Sequence, residues 1–298
     1  MRVQPRMRVF VVNESGVTLA SIIEQLAPGD ARSIDEGRVF VDRQRVRQPR
    51  QPLTQGAHVA WYLQRPAEPH EGDLNFSILA RRGDWVIAVK PAAWACEPDR
   101  TGRGTSLRDV VAAELRAREV HVLTRLDVGV SGLVLLGLSH RVCSVVAHMQ
   151  SRHEIAKDYL GLVTGVLSSA ASWNTPPCEN REARTEVHSV ATCSVKANPQ
   201  VSERISLLSF KPVTGRKHQI RIHSSHYGLP LLGDTRYGGA SRLVREDGTV
   251  VSVQRIMLHA HRLGIPWENG IWSSICAVPP DFSDLWTAFG GDAACLQP

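Results

Sequence analysis

Three short runs in this 298-residue chain carry side chains that can move protons, grip charge or stack on a flat ring. Thr124-Arg125-Leu126-Asp127 sets a carboxylate just ahead of Ser131-Gly132 and an apolar stretch, where a rigid scaffold can hold a loop residue for catalysis. In Lys157-Asp158-Tyr159, the two-residue period of a strand puts Lys157 and Tyr159 on one face, so the phenol can line the same cleft. Thr214-Gly215-Arg216-Lys217-His218-Gln219-Ile220-Arg221 reads as a glycine turn opening a helix that ends near Gly228. Free backbone donors at its start, beside Arg216 and Lys217, suit a phosphate. Arg221, about one turn further on, can reach inward and satisfy both oxygens of a buried carboxylate. Each run alone also has a plainer reading: an Arg-x-Asp is commonly a local ion pair, and a strand tyrosine is commonly core.

The elements that must position these groups are strand-like runs at Trp85 to Val89, Gly132 to Leu136, Ile155 to Val163 and Ile205 to Phe210. A helix capped by Ser139 follows through Val142, Val145, Val146 and Met149. Strands outnumber helices without regular alternation, which predicts an α+β domain over 76–298: a mixed, largely antiparallel sheet with flanking helices. A proline- and charge-rich stretch at 66–75 reads as a linker. Residues 1–65 read as a small α+β module. Thr18 caps a helix with Leu19, Ile22, Ile23 and Leu26 on one face, and Asp30 caps a short second helix ending at Gly37. A strand around Val39 and Val41, a polar turn and a second strand through Val59 and Trp61 complete it. Arg32, Arg38, Arg43, Arg45, Arg47 and Arg50 outnumber Asp35, Glu36 and Asp42 there, giving either a nucleic-acid-binding face or a solvated basic surface.

The order R-L-D-x-x-x-S-G (from Arg125), K-x-Y-x-x-x-V-x-G (from Lys157), T-G-R-x-H-Q-I-R-x-H (from Thr214), G-D-x-x-Y-G (from Gly233) and L-H-A (from Leu258) resembles the RluA-type pseudouridine synthases. The run Ser33-Ile34-Asp35-Glu36-Gly37-Arg38-Val39 resembles the alpha-L RNA-binding module, a familiar companion in that family. The resemblance implies isomerisation of uridines already inside RNA, ribosomal RNA ahead of transfer RNA, with no cofactor and no metal. Asp127 matches the catalytic aspartate, which attacks the sugar or base or removes a sugar proton; both routes stay open. Tyr159 matches the tyrosine that stacks on the base and assists proton removal from the new bonding carbon, and Arg221 matches the arginine paired with the aspartate. Arg125 matches a residue that enters the RNA where the uridine leaves. Lys157, Arg216, Lys217, His218 and Gln219, with Arg32, Arg38, Arg43 and Arg45, are the expected RNA contacts. The chain departs from the family pattern in having Thr124 for His, Val128-Gly129-Val130 for Arg-Asp-Thr, Ala93 after Lys90-Pro91-Ala92 where Gly is usual, and Leu229 for His. The altered loop at 128–130 motivates the rival reading, an RNA-binding protein that keeps the fold with weak or no turnover.

Composition sets the outer limits. With 43% apolar and 21% charged residues, 23 Gly and 17 Pro, the chain is neither collagen, coiled coil nor wholly disordered. A net charge of +6 favours a polyanionic partner. Six cysteines without a C-x-x-C pair argue against a zinc ribbon or disulfide scaffold, and His218, His223 and His226 lack metalloprotease spacing. No Walker loop, dinucleotide fingerprint or G-x-S-x-G elbow occurs. No signal sequence is seen and no apolar run reaches membrane length, so a soluble cytoplasmic monomer is expected.

Overall fold

A computed structural model describes residues 7–26, 32–35, 39–42, 44–46, 48–62, 76–98, 106–174, 182–198, 201–245, 248–268 and 270–297. The chain divides into two compact units, Met1–Glu71 with Pro98–Gly104, and Gly72–Glu97 with Thr105–Pro298. The expected linker at 66–75 lies outside the described residues.

In the first unit, β1 (Met7–Val11), β2 (Val39–Val41), β3 (Gln44–Arg45) and β4 (His58–Tyr62) form an antiparallel sheet in the order β1-β4-β2-β3. Helix α1 (Leu19–Leu26) starts behind Thr18, whose Oγ1 accepts the Ser21 amide at 3.3 Å, and buries Leu19, Ile22 and Ile23 as the spacing requires. Those three pack with Val39, Val59 and Trp61 in one core. Helix α2 (Arg32–Asp35) is a single turn; Asp30 and Gly37, expected at its ends, lie outside the described residues. Two strands escape the sequence pattern: β1, which leaves Val9 and Val11 exposed, and β3, too short to show a period. Of Arg32 and Arg45 only the backbone is described, and Arg38 and Arg43 lie outside the described residues.

The second unit carries, in chain order, β5 (Ser77–Arg82), β6 (Trp85–Lys90), α3 (Leu107–Leu115), β7 (His121–Val122), β8 (Ser131–Gly137), α4 (His140–Ser151) and β9 (Ala156–Thr164). There follow β10 (Ala171–Trp173), β11 (Thr185–Asn198), β12 (Val201–Pro212), α5 (Gln219–His226), β13 (Arg242–Val244), β14 (Val250–Ser252), β15 (Leu258–Trp267), β16 (Gly270–Ile275) and α6 (Pro280–Ala288). One ten-stranded sheet runs β10-β11-β12-β9-β15-β8-β6-β5, with β16 on β15 and β7 on β8; β13 and β14 form a separate hairpin. Within the large sheet β15 and β8 pair in parallel and the other pairs are antiparallel, so the expected α+β class with a mixed, largely antiparallel sheet holds.

Helices cover both faces. Leu133 and Leu135 of β8 meet Val142 and Val146 of α4, while Val134 and Leu136 meet Leu107 and Val111 of α3. That double burial is why β8 reads as a continuous apolar run rather than an alternating one. Phe282, Leu285 and Trp286 of α6 pack on Leu160, Leu162, Ile205 and Leu207. Where β8 and β15 begin to pair, Gly132 sits at φ +117°, and a Cβ there would run into the Ala260 backbone. Only glycine admits that approach, and it fixes the start of β8 four residues after Asp127.

Candidate active site

Asp127 sits on the loop from β7 to β8, and that loop is fastened along its length. The Leu123 and Thr124 amides donate to Leu135 O at 2.9 and 3.2 Å, while Thr124 Oγ1 accepts the Leu135 amide at 2.8 Å. Cys96 Sγ takes the Leu126 amide at 3.2 Å, and Val130 N closes a turn on Asp127 O at 3.0 Å. From the far side, the buried Lys90 ammonium donates to Pro91 O and Trp94 O at 2.8 Å each and to Val128 O at 3.4 Å. The Ala93 amide also donates to Val128 O, at 2.8 Å. Thr124, one of the departures from the family pattern, is therefore built into the bracing through its hydroxyl, while Val128 contributes only its backbone carbonyl. Ser131 Oγ is 2.9 Å from Nδ1 of His259, whose Nε2 is 3.2 Å from Cys276 Sγ, a buried row behind the loop. Burial pushes that imidazole down to about 3, so it stays neutral.

Arg221, on the buried side of α5, reaches the aspartate. Its Nη1 donates to Asp127 Oδ2 at 2.8 Å, while Nε and Nη2 grip Asp234 at 2.6 and 2.8 Å. Burial opposes the charge on Arg221, but the two carboxylates outweigh it and hold the guanidinium well above its ordinary range. One cation thus spans two acids, Asp234 almost fully buried and Asp127 about one-quarter exposed (28%). Arg221 Cζ also lies 4.9 Å from the centre of the Tyr237 ring. Tyr237 Oη is 2.8 Å from Nδ1 of His218, whose Nε2 is 3.6 Å from Asp127 Oδ1. His218 caps α5 from the left-handed region (φ 55°). Burial lowers its pKa while the Asp127 charge resists, leaving it mostly neutral at pH 7.

Tyr159 lies on β9 between Phe210 of β12 and Ala260 of β15. Burial, and after it the charge of Asp127, push its phenol above the ordinary value, so it is a neutral donor at physiological pH. Lys157, two residues back on the same face, has its amine lowered by burial. One cleft of about 780 Å³ is lined by Arg125, Asp127, Lys157, Tyr159, Lys217 and Arg221, among others. That volume falls within the roughly 300–1,000 Å³ of small-molecule sites. The sequence thus brings its three central groups into one cavity, with exposed Arg125, Arg216 and Lys217 around it.

Two expectations need correction. Gln219, expected among RNA contacts, is buried and spent inside the protein: Oε1 accepts from Thr214 Oγ1 and the Arg216 amide, and Nε2 donates to Arg184 O and Thr185 Oγ1. That same bond occupies the Arg216 amide, one of the donors expected to be free at the start of α5, and Arg216 Nε donates to Glu182 O at 3.1 Å. Asp234 and Tyr237 were given no role from sequence, although they belong to the G-D-x-x-Y-G run. The signal available was arithmetic: a buried arginine with five donors needs more than one carboxylate.

The family described as RNA pseudouridylate synthase matches residues 84–226. The chain is similar to tRNA pseudouridine synthase C of Salmonella typhimurium, 32% identical over 200 residues that cover 60% of this chain and 76% of the relative. It is similar to ribosomal large subunit pseudouridine synthase D of Pseudomonas aeruginosa, 30% identical over 299 residues and 91% of each chain. The fold is shared with human RNA Pseudouridylate Synthase Domain Containing 1, with a TM-score of 0.55 at 24% identity over 72% of this chain and 89% of that one.

Proposed function

Because the chain belongs to the RluA-type RNA pseudouridine synthases, we propose that it isomerises specific uridines in structured RNA, ribosomal RNA ahead of transfer RNA, with Asp127 as the catalytic group. In this reaction the bond from ribose to the uracil nitrogen breaks, the base turns, and a carbon of the ring bonds to the sugar. The carbon loses its proton and the nitrogen gains one, so atoms balance without an added reagent. The observation that carries the reading is the 2.8 Å pair between Asp127 and Arg221 in a cleft that Tyr159 also lines. Arg221, fixed by Asp234, holds the carboxylate on one oxygen and leaves the other toward the cleft and the neutral His218. Tyr159 is the stacking surface and the relay for the departing proton, consistent with a phenol that burial keeps protonated.

Arg125, exposed on the cleft rim, fills the space that an extruded uridine leaves in the RNA. Extrusion costs a few kcal/mol, which a guanidinium stacked in the gap offsets. Lys157, Arg216 and Lys217 neutralise backbone phosphates, and the first unit adds affinity through its arginines. Preference for ribosomal RNA is supported by the similarity to the ribosomal enzyme, which runs over 91% of the chain. The multiple anchors on loop 123–130 weigh against the rival reading of an inactive binding protein.

The test is a comparison of pseudouridine maps of total RNA from cells with and without this protein. Loss of one or a few sites in ribosomal RNA supports the proposal. Loss confined to transfer RNA overturns the substrate preference, and unchanged maps overturn the activity.

A further inference from the structure

Outside the residues that line the cleft, the segment entering β7 and the first turn of α4 gather four side chains with no part in the reaction: Glu119, His121, His140 and Cys143. Ligand-capable atoms of His121, His140 and Cys143 all lie within 4.8 Å of one another. Glu119 Oε2 is 3.5 Å from His121 Nε2 and 3.8 Å from His140 Nε2. His121 Nε2 is shielded from solvent and has no hydrogen-bond partner among the described residues, a cost that a metal bond would remove.

The backbone explains the convergence. His121 pairs with Gly137 across β7 and β8, and α4 starts three residues after Gly137. His140 and Cys143 stand three residues apart in its first turn and project from one side. Gln150 of the same helix donates to Leu123 O at 2.6 Å, so α4 and the end of β7 are already fastened at a second point.

We propose that Glu119, His121, His140 and Cys143 form a site for one zinc-class divalent cation that ties β7 to α4. Two imidazoles, a thiolate and a carboxylate are a borderline-soft donor set that suits tetrahedral zinc, and the two anions neutralise the ion. Tetrahedral bonds of about 2.0–2.3 Å place donors roughly 3.3–3.6 Å apart, so the His121, His140 and Cys143 donors close with side-chain movements of about 1 Å, and Glu119 completes the set by turning its own side chain from its place beside the two imidazoles. His140, 82% exposed, and Glu119, 55% exposed, are free to make them. Cys143 gives its thiol proton to solvent as the sulfur–metal bond forms. The ion fills no open catalytic position. It restrains the strand from which the Asp127 loop hangs, and the isomerisation needs none of its chemistry.

Spacing conceals this site because its ligands come from two elements and contain no C-x-x-C pair. The test uses the untagged, metal-free full chain in zinc titration calorimetry and cobalt(II) absorption, compared with His140→Ala, Cys143→Ser and the double variant. The wild type takes up one zinc, and the double variant binds at least about tenfold more weakly, since even altering a metal's outer-shell partners costs 10–100-fold. The cobalt form shows tetrahedral visible bands and a thiolate charge-transfer band that Cys143→Ser removes. Zinc raises the melting temperature of the wild type by more than it raises that of the double variant at the same free zinc concentration. Matching circular dichroism of the metal-free proteins shows that the substitutions spare the fold. No zinc uptake by the wild type, or equal uptake by wild type and double variant, overturns the proposal.

Discussion

Replacing Asp234 by Asn leaves the shape of the site almost unchanged and removes one charge. In the wild type, Arg221 is buried and shared between Asp234, through contacts of 2.6 and 2.8 Å, and Asp127 at 2.8 Å. An asparagine can accept one of the two guanidinium donors but presents an amide to the other. Taking one partner from a buried pair costs about 3–5 kcal/mol. Arg221 retains Asp127, so the lower end applies, about 3 kcal/mol. At about 2–4 °C per kcal/mol for a unit of this size, the melting transition falls by roughly 6–12 °C. Turnover falls further than folding requires, because the unpinned guanidinium no longer fixes Asp127; a misplacement of about 1 Å costs on the order of 100-fold. The assay combines thermal melting with single-turnover release of tritium from RNA labelled at carbon 5 of uridine, run well below the variant's melting point. A variant that melts within about 2 °C of wild type and turns over within about threefold refutes the positioning role.

Tyr159→Phe keeps the stacking ring and loses the hydroxyl, so RNA affinity stays within a few-fold while turnover drops by about 100-fold or more; filter binding beside tritium release separates the two. Burial brings the Lys90 ammonium down to about 8 from its ordinary 10.5, so between those values the unfolded chain holds the extra proton and stability gains with rising pH. Turnover falls as pH rises through about 8, where Lys90 in the folded protein loses its charge and one of its three donors to the carbonyls of Pro91, Trp94 and Val128, and Lys90→Met flattens both pH profiles in denaturant titration and in rate. Deleting residues 1–65 weakens RNA binding and flattens its dependence on salt, because fewer phosphates are neutralised. Unchanged affinity and salt slope mean that those arginines are only a solvated surface.

Much of the scaffold was legible because burial writes itself into spacing. The helix behind Ser139, the strands at Trp85, Gly132, Ile155 and Ile205, and the α1 stripe of Leu19, Ile22 and Ile23 all stand within a few residues of their expected bounds. Asp127, Tyr159 and Arg221 were legible as types in loops and faces that a cleft needs. What stayed hidden is the second acid: Asp234 holds Arg221 from 13 residues further along the chain, and nothing in the spacing pairs the two before the fold closes. Gln219 was misread because a polar residue at a helix start looks solvent-facing until its amide is seen bridging Thr214 and Arg184. The edge strand β1 was missed for the converse reason, since its exposed valines give no alternation.

The central claim is that the Asp127 carboxylate does the chemistry in this cleft, and Asp127→Asn tests it most directly, with tritium release and RNA affinity measured on the same cognate RNA. The account predicts that the wild type releases tritium, and that the variant binds within about tenfold of it yet releases none above background. Release by the variant at a rate close to wild type contradicts the account.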